Sequence, residues 1–212
     1  MPSDPAGEPG RTGLRERKKR RTRLALIDAA LDLFLAKGYE ATTIDEIVAA
    51  VDVSQRTFFR YFATKEDLVT GFLGEYDEVL KEALAARPAE ERPFTALFES
   101  LRVVLRTIGA DPRGSARFRR VRQVVEATPM LEAAQMARYS EVQHALAAEI
   151  ARREGVDPEG DLRPEILVAF QMSVARIAFE DCARRDIWDP ETVAGRVEDA
   201  IEVARATVRD WF

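Results

Sequence analysis

Gln55, Arg56, Phe59 and Arg60 sit close together in the segment SQRTFFRYF, residues 54–62. On a helix turning about 100° per residue they share one arc of about 140°. That arc offers one amide, two guanidiniums and one ring. An amide pairs with the edge of adenine, a guanidinium with guanine, and a ring meets the methyl of thymine, so these residue types on one face suit the major groove of DNA. Phe58 falls on the other side of the helix, near Ser54 and Tyr61, where it packs on the preceding helix through Ile47 and Val51. Phe62 joins the same core. The plainer reading is an amphipathic surface helix with Phe59 merely exposed.

The elements around this segment must position it. Thr43-Ile44-Asp45-Glu46 has the Thr-x-x-Glu spacing of a capping box, and Ser54 is placed as an N-cap. Two short helices, 44–50 and 54–61, are therefore predicted, joined by a tight turn at Val51-Asp52-Val53. This is a helix-turn-helix arrangement. Thr64, followed by Lys65-Glu66-Asp67, starts another helix. Upstream, Leu24, Ile27, Leu31 and Phe34 recur at helical spacing, and Gly38 is placed to end that helix. The run RERKKRRTR, residues 15–23, is broken only by Glu16 and Thr22. A basic run on a chain of net charge −5 is either a solubilising tail or a salt-sensitive contact with phosphate.

Pro and Gly punctuate the rest at 87–93, 110–114, 127–129, 154–164 and 189–190. Helices are predicted near 65–86, 93–109, 114–126, 130–154, 164–185 and 190–210. No stretch alternates as a strand. The expected fold is all-α with about nine helices. Residues 1–14 read as a disordered tail, 15–66 as the DNA-binding domain with its motif at about 43–62, and 67–212 as a second domain. The apolar runs fall far short of the roughly 18–20 residues of a membrane span. The first residues lack the apolar core of a secretory signal. Cys182 is the only cysteine, which suits a cytoplasmic setting.

The stretch 25–69, ALIDAALDLFLAKGYEATTIDEIVAAVDVSQRTFFRYFATKEDLV, resembles the tetracycline-repressor (TetR) family of one-component regulators. The resemblance implies a homodimer that binds an operator in double-stranded DNA and a C-terminal domain that binds a small effector, most often to release a repressor. It further implies that Thr43 meets a phosphate, that Ser54, Gln55, Arg56 and Phe59 face the groove, and that Tyr61 and Lys65 grip the backbone beyond the recognition helix. Gln55, Arg56 and Arg60 would then specify bases while Thr43, Tyr61 and Lys65 set register. The family usually has glycine where this chain has Asp52. The turn there is expected to need positive φ, which Asp tolerates better than most residues, aided by a local side-chain hydrogen bond.

The stretch 117–158 is similar to C-terminal domains of TetR-like regulators that sense acyl-CoA-type ligands. An apolar or acyl-CoA-like effector would meet Phe98, Leu101, Leu105, Phe118, Val121, Arg122, Val125, Met136, Tyr139, Phe170 and Met172, together with Phe94. Arg119, Arg120 and Arg122 would meet an acidic head group. The competing reading is helical core for the apolar residues and a solvated face for the arginines. Helices 164–185 and 190–210 carry alanines at 169, 175, 178, 194, 200 and 204, which allow close helix approach. They are expected to form the dimer as a four-helix bundle.

His144 is the only histidine, and a metal site needs several converging ligands. No glycine-rich phosphate loop and no paired catalytic carboxylates appear, so neither a cofactor nor an enzyme is expected. The alternative function is a DNA-binding protein without a small effector, controlled by a protein partner or acting architecturally. A buried cavity of several hundred Å³ would separate the two.

Overall fold

The computed structural model describes residues 9–211. Among them are nine helices and no strand: α1 Pro9–Lys37, α2 Ile44–Val51, α3 Gln55–Phe59, α4 Lys65–Ala85, α5 Pro93–Ala110, α6 Gly114–Glu126, α7 Pro129–Glu154, α8 Arg163–Arg184 and α9 Pro190–Trp211. The expected all-α fold is therefore the observed one. Residues 1–8 of the expected tail lie outside the described residues. The backbone of residues 9–14 continues α1, with Pro9 at a first-turn position that needs no N–H donor.

Short-range chemistry sets the ends of these helices. Thr43 and Glu46 form the capping box of α2. Ser54 Oγ accepts from the Thr57 N–H at 3.2 Å to start α3. Thr64 and Asp67 cap α4 reciprocally, with Thr64 Oγ1 accepting from the Asp67 N–H at 3.0 Å and Asp67 Oδ2 accepting from the Thr64 N–H at 3.2 Å. Asp189 Oδ2 accepts from the Thr192 N–H at 2.9 Å to start α9. Pro93, Pro129 and Pro164 occupy first-turn positions of α5, α7 and α8.

The chain divides into two compact units with the break between Phe72 and Leu73. In the first, Leu26, Ile27, Ala30, Leu31 and Phe34 of α1 are buried, as are Ile47, Val48, Phe58, Phe62, Leu68 and Val69. Burying these side chains supplies the apolar transfer energy that holds α1, α2, α3 and the start of α4 together.

In the second unit one core joins α4, α5, α7 and α8 through Leu84, Leu97, Leu146, Ile150 and Val168. Another joins α8 and α9 through Val174, Ala175, Ala178, Val197 and Ile201, with Phe94, Phe98, Leu101 and Phe170 packed against it. Arg153 of α7 donates to the carbonyls of Leu84, Arg87 and Pro88 at 3.3, 2.9 and 2.6 Å, satisfying acceptors that the end of α4 leaves open. Arg138 of α7 pairs with Asp77 of α4 at 2.7 Å. Burial raises the Asp77 pKa and lowers that of Arg138. Gly114 has no substitute at the start of α6, because a Cβ there would lie 1.9 Å from the Ile108 carbonyl oxygen.

The alanine stripe needs a correction. Ala175, Ala178 and Ala194 are buried inside the chain, and Ala200 and Ala204 pack on the α8–α9 core. Their small size lets α8 and α9 approach each other. Among the described residues, the large apolar side chains these helices leave exposed are Ile166, Ile177 and Val203.

Candidate nucleic-acid interface

The turn from α2 to α3 is set by Asp52, whose φ of 54° and ψ of 50° are left-handed. Its N–H donates to the Ala49 carbonyl at 3.2 Å, and the Val53 N–H donates to the Val48 carbonyl at 3.0 Å. This pair of bonds is the Schellman ending of a helix. The expected positive φ is present. The expected local hydrogen bond from the Asp52 side chain is absent among the described residues.

The turn leaves α3 anchored by one face. Phe58 is fully buried and Phe62 nearly so, while Phe59 is 53% exposed. Phe59 meets the Phe58 ring edge-on at 5.5 Å between centroids. Gln55, Arg56 and Arg60 are exposed beside it, so the arc derived from helical spacing is a real surface. Arg56 makes no ion pair among the described residues. The Arg60 guanidinium lies 5.0 Å from the centre of the Tyr61 ring and donates to the Tyr61 hydroxyl at 3.2 Å. Gln55 Nε2 donates to Asp45 Oδ1 in the first turn of α2, which fixes the amide on the face it presents. Nothing in the spacing of residues 54–62 identifies Asp45 as that partner.

Thr43 is exposed, and its hydroxyl serves the cap: it donates to Glu46 Oε2 at 2.9 Å and accepts from the Glu46 N–H at 3.3 Å. Glu46 also takes an ion pair from Lys37 of α1. That pair, with the Thr43 backbone and hydroxyl donors, pulls the Glu46 carboxyl from its ordinary 4.5 down to about 2. Lys65 Nζ donates to the Tyr39 and Thr42 carbonyls at 2.7 and 2.9 Å and lies 4.2 Å from the centre of the Tyr39 ring. An ammonium has three donors, so two tie the loop between α1 and α2 and one is left over. Arg15, Arg17, Lys18, Lys19, Arg20 and Arg21 of α1 are exposed, and Arg23 lies over the Phe62 ring at 5.2 Å.

The candidate effector residues scatter. Leu105, Phe118 and Arg122 line a small apolar cavity of about 30 Å³ among α5, α6, α8 and α9. Phe94, Phe98, Leu101 and Phe170 pack on the α8–α9 core, and Met172 packs on the α4–α5–α7–α8 core. Val121 and Val125 are buried and Met136 is 58% exposed. Tyr139 is half-buried, and burial raises its phenol pKa. Arg119 pairs with Asp186 at 2.8 Å and Arg122 with Glu126 at 2.6 Å. Arg120 is half-buried. This space is far below the several hundred Å³ expected to mark a small-effector regulator, and as it stands it matches the alternative without a small effector. Next to it lies a polar surface cleft of about 550 Å³. Trp188 lines both spaces and was absent from the sequence candidates, because its position between α8 and α9 gives no periodic signal.

No group of three or more His, Cys, Asp or Glu side chains able to hold a metal occurs among the described residues. Burial pushes the Cys182 thiol up. No helix among the described residues is long and apolar enough to cross a membrane.

Residues 26–71 match the family model for bacterial regulatory proteins of the tetR family, and residues 91–203 match that for the MftR C-terminal domain. The chain is 40% identical over 210 residues to the HTH-type transcriptional regulator TcmR of Streptomyces glaucescens, covering 96% of this chain and 92% of that one. It is 28% identical over 186 residues to the putative mycofactocin biosynthesis transcriptional regulator MftR of Mycobacterium tuberculosis, covering 87% and 91%. Its fold is similar to the crystal structure of NalD, the secondary repressor of the MexAB-OprM multidrug efflux pump in Pseudomonas aeruginosa. That match has a TM-score of 0.58 and 23% identity and covers 87% of this chain and 96% of NalD. The anchored α3 surface and these matches lead to one conclusion: the chain belongs to the TetR family and is a DNA-binding transcriptional regulator, not an enzyme.

Proposed function

We propose that the protein is a dimeric repressor that reads a palindromic operator and is released by a small apolar or acyl-CoA-like effector. The observation that carries the DNA half of this reading is the exposed arc of Gln55, Arg56, Phe59 and Arg60 on a helix pinned by buried Phe58. Gln55, Arg56 and Arg60 contact base edges. Ser54 and Phe59 face the groove with them, and Thr43, at the start of α2, lies where N–H groups favour phosphate. Tyr61 and Lys65 hold the backbone beyond α3, and the basic run on α1 adds salt-sensitive affinity. The DNA-binding domain on this reading is 15–66 and the effector and dimerisation domain 67–212.

The sign of regulation is supported by the description of NalD as a repressor. The exposed Ile166, Ile177 and Val203 on α8 and α9 support a homodimer through those helices. Two recognition helices would then meet half-sites about 34–36 Å apart, or further by whole turns. The effector region centres on Leu105, Phe118 and Arg122, where the space of about 30 Å³ must open to admit a ligand; Met136 is exposed, and the other apolar candidates serve as packing.

The test begins with selection of an operator from random duplexes, followed by titrations on that operator and a scrambled duplex. Arg56→Ala and Gln55→Ala each lose about 1–3 kcal/mol of discrimination at one base position. Tyr61→Phe weakens both duplexes alike. Equal losses on the two duplexes for Arg56→Ala would remove its base-reading role.

A further inference from the structure

The small apolar cavity and the polar cleft share two side chains, Trp188 and Arg122. Behind them the cavity is lined by Leu105, Phe118, Phe179, Cys182 and Val193. The cleft carries Arg119, Arg122 and Arg184 together with Glu126, Glu180 and Asp186, so a bound anion would have to displace carboxylates from the arginines. At about 30 Å³ the cavity holds no more than about two waters. Trp188 borders both spaces, so its indole is a side chain whose movement would connect them.

The closure is held lightly. The Trp188 indole N–H donates to Asp186 Oδ1 at 2.7 Å, and the same oxygen accepts from Arg119 Nη1 at 2.8 Å. Asp186 sits at a φ of 55° in the short link between α8 and α9. The Arg119 and Arg122 ion pairs are largely exposed, so each is worth little and is readily exchanged for another anion. An acid arriving in the cleft competes with Asp186 for Arg119 and with Glu126 for Arg122. Losing Arg119 leaves the Asp186 carboxylate, in the short link between α8 and α9, tied among the described residues by the Trp188 indole N–H alone, so the indole and its acceptor can move together.

We propose that this is a ligand site gated by Trp188, and that it takes an anion with an apolar tail. The acid group lies between Arg119 and Arg122, and the tail enters past Trp188 to meet Phe118, Phe179 and Leu105. The inference rests on the effector-controlled reading above, and it assigns the effector's place and chemical class. It also puts the ligand against the link between the two helices whose exposed faces were assigned to the dimer.

The chain supplies its own reporters. Trp188 and Trp211 are its two tryptophans and Cys182 its one thiol. In full-length Trp211→Phe protein, Trp188 emission and Cys182 alkylation by N-ethylmaleimide are followed during titration with decanoate, 4-phenylbutyrate and uncharged decanol. At least one acid is expected to shift Trp188 emission and to slow Cys182 alkylation. Decanoate should do so at a concentration about tenfold below decanol, the worth of one charge-assisted hydrogen bond. Arg119→Ala with Arg122→Ala should erase that preference for the acid while circular dichroism is unchanged.

If neither acid moves both reporters, or if the preference survives the double substitution, the cavity is a packing void only and the site is wrong. Release of the selected operator duplex is measured on the same samples. An acid that releases DNA without moving the reporters overturns this site and leaves effector control standing. Reporters that respond without release support the site and overturn its link to DNA binding.

Discussion

Asp52 and Asp186 occupy the same backbone position in two Schellman endings, with φ of 54° and 55°. At Asp186 the N–H donates to the Ala183 carbonyl at 3.2 Å, and the Ile187 N–H donates to the Cys182 carbonyl at 2.9 Å. Replacing either residue by glycine removes the steric penalty of an L-residue in this region, about 1 kcal/mol or more. The freer unfolded chain of glycine returns about 0.5–1 kcal/mol of that. For Asp52, whose side chain holds nothing among the described residues, the net is a stabilisation of up to about 1 kcal/mol. For Asp186 the same substitution removes the acceptor of both Trp188 and Arg119, so the sign reverses. Amide hydrogen exchange at Val53 and Ile187, the donors that close the two motifs, reads each turn locally. Exchange at Val53 should slow by up to about fivefold in Asp52→Gly, and exchange at Ile187 should quicken in Asp186→Gly. If both turns respond with the same sign, the side chain of Asp186 contributes nothing and the account of its hydrogen bonds is wrong.

Lys65→Met should destabilise the first unit by about 1–3 kcal/mol, because two buried-side carbonyls lose a charged donor. A thermal melt checks this, and operator and scrambled duplexes should lose affinity together. Glu46 has a folded pKa of about 2 against an ordinary 4.5. Its stabilising contribution is therefore complete above about pH 4.5 and is lost as pH falls toward 2. Glu46→Gln should flatten that part of an acid titration followed by circular dichroism. Ile177→Glu with Val203→Glu should give folded monomers in sedimentation, whereas Ala178→Glu, at a position buried within the chain, should unfold the second unit. An unchanged dimer in the first variant moves the interface elsewhere.

The helices were legible because Pro, Gly and capping residues bracket each of them. The helix predicted for 93–109 is α5, Pro93–Ala110, and that for 190–210 is α9, Pro190–Trp211. The opposite fates of Phe58 and Phe59 follow from one 100° step. Asp52 stood out because so few residues accept its backbone. What stayed hidden depends on partners distant in sequence. Lys65 reaches carbonyls more than twenty residues upstream, and no local pattern reports that. An alanine stripe announces close approach of two helices without saying whose, and here the second helix is in the same chain. The pocket candidates were drawn from periodic apolar residues, which mostly build core. The residue that borders both spaces lies in a connection.

The bond between Gln55 and Asp45 bears on how this regulator could be retargeted. A library that randomises position 55 alone leaves the Asp45 carboxylate beside every new side chain. Only variants that can donate a hydrogen bond inherit the support Gln55 has. Acidic variants meet like charge from the exposed Asp45 carboxylate, and apolar variants leave it to water. New operator preferences should therefore be reached by paired exchange at 45 and 55, and single-site searches should return mostly donors.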